Sequence, residues 1–461
     1  MPQPYDPAVS ARATAATAWW RRFGGLTRSG SSLEGLSWAL YDLANTIYSF
    51  AVVSFAMGLW ATRHLGEADG TRWFTIAASV SVLLNALVSP ILGEASDRAG
   101  RRKPFLAFFT ALCVCATAAI GLVDIRLGLV CFALANFAYQ GALIYYDALL
   151  PDVARPSARG RLSGVGVALG YVGTLLIGVL LLAGVSTDAE GRATPGTFVL
   201  AAVLFASFAL PLFVRVRDRA ARGAFDVRQA IASWAQLGET VRDARRHPGL
   251  LRFIVARFFY TDPINTAIVV MAAFAVHAVG FSEGQALQVL LLLTVVAVVA
   301  SFGWGALADR LGPRRTLVAV LGTWVVGLVL IGLVLAPIPF LVAGALLGAG
   351  LGGVGVTDRL LLLRLAPPER VGAMLGLYGL VGKFSAVVGP FVYGTVVDVL
   401  LPGLGRTAYQ LAIASLLVLL LVGLFILRGV PEGQPISDAD ADAGRALPLE
   451  PALAPPTGGP R

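Results

Sequence analysis

The sequence predicts an all-α polytopic membrane protein, with twelve transmembrane helices in two six-helix bundles and both termini cytoplasmic. Three observations predict it. Of 461 residues, 57% are hydrophobic and only 14% are charged, against about 25% charged in an ordinary soluble domain. Apolar stretches long enough to span a bilayer recur along the whole chain. The basic residues fall overwhelmingly on one side of those stretches. This composition excludes a soluble enzyme, a disordered chain and a nucleic-acid-binding module.

A span needs roughly 20 apolar residues, because ~30 Å of hydrocarbon is crossed at 1.5 Å per residue. On that measure the spans are 34–62, 71–95, 104–123, 127–150, 163–185, 197–214, 251–278, 284–308, 316–336, 338–363, 372–400 and 406–428. The largest hydrophilic insertion, 215–250, follows the sixth span and divides the bundles 34–214 and 251–428. Within it, Phe225 to Val241 reads either as an amphipathic helix on the inner surface or as a charged tether. The tails 1–33 and 429–461 read as disordered, with Trp19, Trp20, Arg21 and Arg22 as an interfacial anchor. No cleavable signal peptide is expected, so the first span serves as insertion signal.

Orientation follows from the arginines. Of 36 Lys+Arg, 28 lie on the side that holds both termini, 5 on the other, and 3 within spans. The formal charge of +9 therefore records topology and contact with anionic lipid rather than a nucleic-acid footprint. Cys113, Cys115 and Cys131 all lie in spans, which argues against a structural disulfide. His64, His247 and His277 form no metal-ligand spacing. Neither cofactor nor metal is expected. Gly350-Leu-Gly352-Gly-Val-Gly355 matches a dinucleotide fingerprint, but inside an apolar span it reads as close helix packing.

The two halves repeat. The loop after span two reads Gly93-Glu-Ala-Ser-Asp97-Arg98-Ala-Gly100-Arg101-Arg102, and the loop after span eight reads Gly305-Ala-Leu-Ala-Asp309-Arg310-Leu-Gly312-Pro-Arg314-Arg315, at offset 212. Asp42-Leu-Ala-Asn45-Thr46 in span one matches Asp262-Pro-Ile-Asn265-Thr266 in span seven, at offset 220. Asp147 matches Asp358 at offset 211, and each is followed by a proline, Pro156 and Pro367. Gly164 and Gly170 match Gly376 and Gly382. An even number of spans per half gives parallel repeats, with a site between two bundles that rock to alternate access.

These paired Gly-x-x-x-Asp-Arg-x-Gly loops resemble those of the major facilitator superfamily. A narrower resemblance lies in Trp38-Ala-Leu-Tyr41-Asp42-Leu-Ala-Asn45, Leu149-Leu-Pro151-Asp152, Ala168-Leu-Gly170-Tyr171, Ala256-Arg257-Phe-Phe-Tyr260-Thr-Asp262 and Gly376-Leu-Tyr378-Gly379-Leu-Val-Gly382-Lys383-Phe384. Over roughly residues 36–400 the chain is similar to the autophagy-related vacuolar effluxers. That resemblance implies amino-acid efflux, and loops that lock the inner face through charge pairs and helix-end contacts. The chain departs from the family pattern in its carboxylates at Asp147 and Asp358 and in Pro263.

Seven ionisable residues fall inside spans, clear of their outermost residues: Asp42, Asp147, Asp262, Asp358, Arg257, Arg359 and Lys383. Each costs ~2.5–3.5 kcal/mol at a helix centre, so they must pair or face a wet cavity. By the resemblance, spans one, four, seven and ten line that cavity, and six of the seven lie there. Asp42, Asn45, Asp262, Asn265, Arg257, Lys383 and Tyr146 are the candidate substrate- and proton-binding residues. Asp42 and Asn45 share one helix face, as do Asp262 and Asn265. Pro263 is expected to bend span seven. Arg257 is expected on Asp42 or on a carboxylate substrate, and Lys383 on a cavity aspartate. The candidate gate residues are Asp97, Arg98, Arg102, Asp309, Arg310, Arg314, Asp147, Asp358 and Arg359. Shallower, interfacial roles remain the alternative for Asp42, Arg257, Asp147 and Asp358.

The expected activity is secondary transport of a small polar organic solute by alternating access, first amino-acid export, with the proton as coupling ion. A sugar or organic-acid symporter or uniporter is the alternative of the same fold. A non-transporting membrane sensor or assembly factor is the alternative of another class. The partners are the solute, protons and the bilayer, with no nucleic acid, and a monomer is expected. Only two lysines, Lys103 and Lys383, stand against 34 arginines. That bias fits a GC-rich bacterial genome and the plasma (inner) membrane.

Overall fold

A computed structural model describes residues 24–189, 192–217, 242, 244–281, 283–367, 370–385 and 388–433. The stretch Phe225–Val241 and most of both predicted tails lie outside the described residues. In the first half, α1 (Ser32–Tyr48) continues through a π-helical stretch (Ser49–Ala56) into Met57–Leu65, followed by α2 (Glu67–Ala99) and α3 (Lys103–Ala119). Then come α4 (Ile125–Val153), α5 (Arg159–Leu182) and α6 (Pro195–Arg215). In the second half, α7 (Leu250–Phe274) runs into a π-helical Ala275–Val279, followed by α8 (Glu283–Leu311), α9 (Pro313–Leu333) and α10 (Pro337–Leu365). The last are α11 (Val371–Ser385), α12 (Val388–Leu404) and α13 (Thr407–Arg428). Among the described residues, 11 helical stretches are long and apolar enough to cross a membrane, with Val371–Leu404 counted as one.

Local chemistry sets the helix ends. Ser31 caps α1 by accepting from Glu34 N, and Asp124 caps α4 by accepting from Arg126 N at 2.9 Å. Prolines open α3, α6, α9 and α10, where a missing N–H costs nothing. α2 and α8 outrun their apolar stretches because the stop signal is stereochemical. Gly100 (φ +65°) ends α2, its N–H donating to Ser96 O at 3.0 Å, and Gly312 (φ +91°) separates α8 from α9. The second glycine of each repeated loop is thus a left-handed turn that L side chains rarely adopt. α7 continues as one helix through Pro263.

The packing order repeats. α1 lies on α5 and α6, α2 on α4, and α3 on α4 and α6. Likewise α7 lies on α11 and α13, α8 on α10, and α9 on α10 and α13. The fingerprint-like glycines pack as expected: a Cβ on Gly350 would meet Trp324, on Gly352 Ser301, and on Gly353 Val320. The predicted tails are shorter than read from the sequence. Thr27 is fully buried, Arg28 N donates to Val153 O at 2.9 Å, and Arg155 N donates to Leu26 O at 3.0 Å. Val430 is also buried. These segments take up backbone groups that helix ends leave open.

The halves meet along two seams, α5 on α8 and α2 on α11. Both close at the end of the molecule that carries the repeated loops, here the loop end. A Cβ on Gly160 would stand 2.6 Å from Gly305 O, and one on Gly305 would stand 2.6 Å from Gly160 O. Gly93 and Gly372 mirror this, a Cβ on Gly372 standing 2.5 Å from Gly93 O. Only glycine permits such backbone approach. Gly160→Leu should therefore destabilise the structure by about 1–3 kcal/mol, read as a lower thermal midpoint of the purified protein in detergent. An unchanged midpoint would mean that the seam is not closely packed.

Candidate functional site

At the loop end each half holds a helix of the other by its N-terminus. Asp309, at the end of α8, accepts Gly160 N at 2.7 Å and Arg161 N at 3.0 Å from the first turn of α5, plus Arg161 Nε at 2.9 Å. Asp97, at the end of α2, accepts Ala373 N at 2.9 Å from the first turn of α11. A carboxylate there satisfies amides that lack intrahelical partners and faces the positive end of the helix dipole. Arg102, buried, lies 3.5 Å from Asp97 and 2.8 Å from Asp152, and donates to Ala148 O at 2.7 Å.

The second loop departs from this pattern. Arg314, its equivalent, turns to the segment after α13: its N–H donates to Glu432 at 3.0 Å and its Nη2 to Arg428 O at 2.7 Å. The repeat predicts a copy of the Arg102 network, but position 364 holds an arginine where the first half has Asp152. Glu432, 4.0 Å from Arg364, supplies the carboxylate instead. Arg310 is exposed. The side chains of Arg98 and Glu94 lie outside the described set.

Deeper in, the intramembrane charges sort into pairs. Arg359 of α10 reaches across the interface, its Nη1 2.9 Å from Asp147 and its Nη2 3.3 Å from Asp42. Its guanidinium stands 5.5 Å from the Trp38 ring centroid. Tyr146 stacks between Trp38 (4.7 Å) and Tyr41 (5.1 Å). A Cβ on Gly166 would lie 2.9 Å from Asp42 Oδ2, so this glycine of α5 makes room for the carboxylate. Arg257 does not meet Asp42 as expected. Its Nε bonds Asp358 Oδ2 at 2.8 Å and its Nη1 donates to Tyr378 O at 3.0 Å, with the guanidinium 3.5 Å over the Tyr378 ring. Tyr378 and Tyr260 hydroxyls donate to the same carboxylate. Asp358 lies on α10, which Arg257 can reach within its own half.

The other candidates separate too. Lys383 does not meet an aspartate; its Nζ donates to Asn85 Oδ1 and lies 3.4 Å from Ser89 Oγ, both on α2. Asp262 is buried and accepts Gly389 N at 2.8 Å. A Cβ on Gly389 would stand 2.9 Å from either Asp262 oxygen, so that glycine is required for the contact. Asn45 is buried with neither amide atom bonded in the structure, and Asn265 is half-buried. Asp42 and Asp262 match in sequence but differ in partner, an arginine for one and a backbone amide for the other. Sequence reasoning missed Asn85 and Ser89, which with Ser81 form an i, i+4 polar stripe in an apolar span. It also missed the roles of Arg161, Tyr260, Asp152 and Glu432.

Comparison with known proteins agrees with this geometry. A family model described as vacuole effluxer Atg22 like matches residues 66–440. The chain is 28% identical over 415 residues to an uncharacterised transporter of the major facilitator type from Bacillus subtilis, covering 86% of this chain and 94% of that one. It is 27% identical over 309 residues to autophagy-related protein 22 of Coccidioides immitis, covering 59% of this chain and 49% of the fungal protein. Among solved structures, the human organic anion transporter MFSD10 superposes with a TM-score of 0.68 at 18% identity, covering 86% of this chain and 98% of that one. A proton:xylose symporter superposes at 0.64 and 15% identity, covering 89% and 97%. The fold is that of the major facilitator superfamily, and the chain belongs to its Atg22-like vacuole effluxer family.

Proposed function

We propose that this protein is a secondary active transporter that moves a small polar organic solute by alternating access, driven by protons, with amino-acid export as its first activity. We read it as twelve spans in two bundles, 34–214 and 251–428, with the loop end and both termini cytoplasmic, in the plasma membrane of a bacterium. The carrying observation is that the halves close on each other at the loop end through two glycine seams and two carboxylate-capped helix ends, with the Arg359 bridge behind them. Such contacts form a gate that opens as a unit when one bundle rocks on the other. Bacterial relatives over most of their length support the plasma membrane.

Charge pairing sets Asp262 apart from the other three aspartates. Asp358 is matched one to one by Arg257, so protonating it strands a cation in a low-dielectric interior, whereas Asp42 and Asp147 share the single Arg359. Asp262 holds a backbone amide, which remains satisfied by a neutral carboxyl oxygen. Asp262 is therefore the carboxyl that gains and loses a proton without disturbing an ion pair, and we take it as the proton site. Opening the loop end separates Arg359 from Asp42 and Asp147, and entering water or solute takes its place.

Proteoliposomes offered labelled amino acids, sugars and organic acids under an imposed pH gradient should accumulate at least one solute, amino acids first. Absence of both solute and proton flux under every gradient would remove the transport reading. Asp262→Asn should fold normally, since its Oδ1 still accepts Gly389 N, yet lose gradient-driven accumulation while retaining exchange. Wild-type accumulation in this variant would rule out the proposed proton site. Arg359→Gln should cost about 3–5 kcal/mol of stability by leaving two carboxylates uncompensated. Adding Asp42→Asn should recover part of that loss in thermal unfolding, whereas strictly additive losses would argue against the bridge.

A further inference from the structure

Lys383 differs from the two intramembrane arginines. Arg257 and Arg359 rest on carboxylates, whereas the Lys383 ammonium meets the uncharged oxygens Asn85 Oδ1 and, at 3.4 Å, Ser89 Oγ. Asn85 and Ser89 are buried and held in place: Asn85 Nδ2 donates to Phe137 O at 2.9 Å, and Ser89 Oγ donates to Asn85 O at 2.6 Å. The arrangement aims a fixed pair of neutral acceptors at a cation from the opposite half. A second positive group stands beside it, since a Cβ on Gly382 would lie 2.9 Å from Arg257 Nη2. The charge of Arg257 is already matched by Asp358, so one positive charge is left over.

Depth and symmetry set this site apart from the gate. Eleven residues of α11 separate Gly372 at the seam from Lys383, which puts the ammonium ~16 Å from the loop-end contact along the helix. The other seam has no counterpart: at offset 212 the equivalents of Asn85, Ser89 and Lys383 are Ala297, Ser301 and Tyr171. Gate residues recur in both halves, whereas this trio occurs once.

We propose that Lys383, framed by Asn85 and Ser89, is the docking point for a monovalent anionic group, a carboxylate, of the transported solute. A single unmatched positive charge in low dielectric calls for a single negative one. The lysine is half-buried. A carboxylate there would replace neutral solvation by a charge-assisted bond and touch both halves through one residue and its partners. The inference rests on the transport reading for the solute's passage, but not for its binding.

The test is thermal stabilisation and equilibrium binding of the purified full-length protein. The probes are the common amino acids plus sodium acetate, lactate and 4-methylpentanoate, each against sodium chloride at equal ionic strength, and the methyl ester of whichever carboxylate acts. The wild type should bind at least one carboxylate and ignore its ester. Lys383→Met should weaken that binding ~10-fold or more, and Lys383→Arg should retain part of it. Asn85→Asp keeps the lysine but supplies an internal carboxylate. It gives up the Asn85 Nδ2 bond to Phe137 O but gains an ion pair with the lysine, and should displace the ligand ~10-fold or more in a protein that still purifies as a monodisperse species, so the test does not depend on Lys383→Met folding. The proposal is overturned if no carboxylate binds the wild type, if the ester binds equally, or if Asn85→Asp binds like the wild type. Carboxylate binding without flux would instead overturn the transport reading and leave this site standing.

Discussion

A guanidinium in hydrocarbon must be neutralised where it stands, and Arg359 is neutralised by the other half of the molecule. Its two carboxylates, Asp42 and Asp147, belong to α1 and α4, while the arginine belongs to α10. Each such charge costs ~2.5–3.5 kcal/mol at a helix centre if left alone. Three elements are therefore tied together by solvation rather than by shape. The glycines beside them follow from this: Gly166 admits the Asp42 carboxylate, and the seam glycines bring the backbones close enough for one side chain to span the gap.

The loop end and the interior answer to different demands. At the loop end both halves keep the same device, an acidic side chain on the first amides of a partner helix. The interior has diverged. Asp42 holds an arginine where Asp262 holds an amide, and Lys383 stands where the other half has Tyr171. Even at the loop end the copies are unequal, since Asp152 serves Arg102 within the first half whereas Glu432 reaches Arg314 and Arg364 from beyond the last helix.

Much of this was legible in residue order. Hydropathy located the helices, and the repeated loops gave the fold and the two carboxylates, Asp97 and Asp309, that meet helix ends of the other half. Helix ends were less legible: α2 and α8 run past their apolar stretches because capping and left-handed glycines, not hydropathy, terminate helices. Partner choice was hardest to read. Arg257 and Asp358 lie on helices far apart in sequence, and spacing says nothing about which of four aspartates an arginine will reach. Lys383 was recognised as unusual by its charge, but its partners were not, since Asn85 and Ser89 carry none. Only their i, i+4 spacing in an apolar span hinted at a buried face.

The seams carry a consequence for how such a chain arises. Gly93 with Asp97 meets Gly372, and Gly305 with Asp309 meets Gly160; each position maps to its counterpart at offset 212. Patch i touches patch j, and the copy of j touches the copy of i. That reciprocity is the signature of an isologous interface, the kind that two identical subunits make about a twofold axis. A six-helix unit with this surface already holds both halves of its own lock, so two copies close on each other without further invention. Fusion then frees one copy to lose a charge or gain one, and the single lysine on α11 is a difference that a true homodimer is not able to carry.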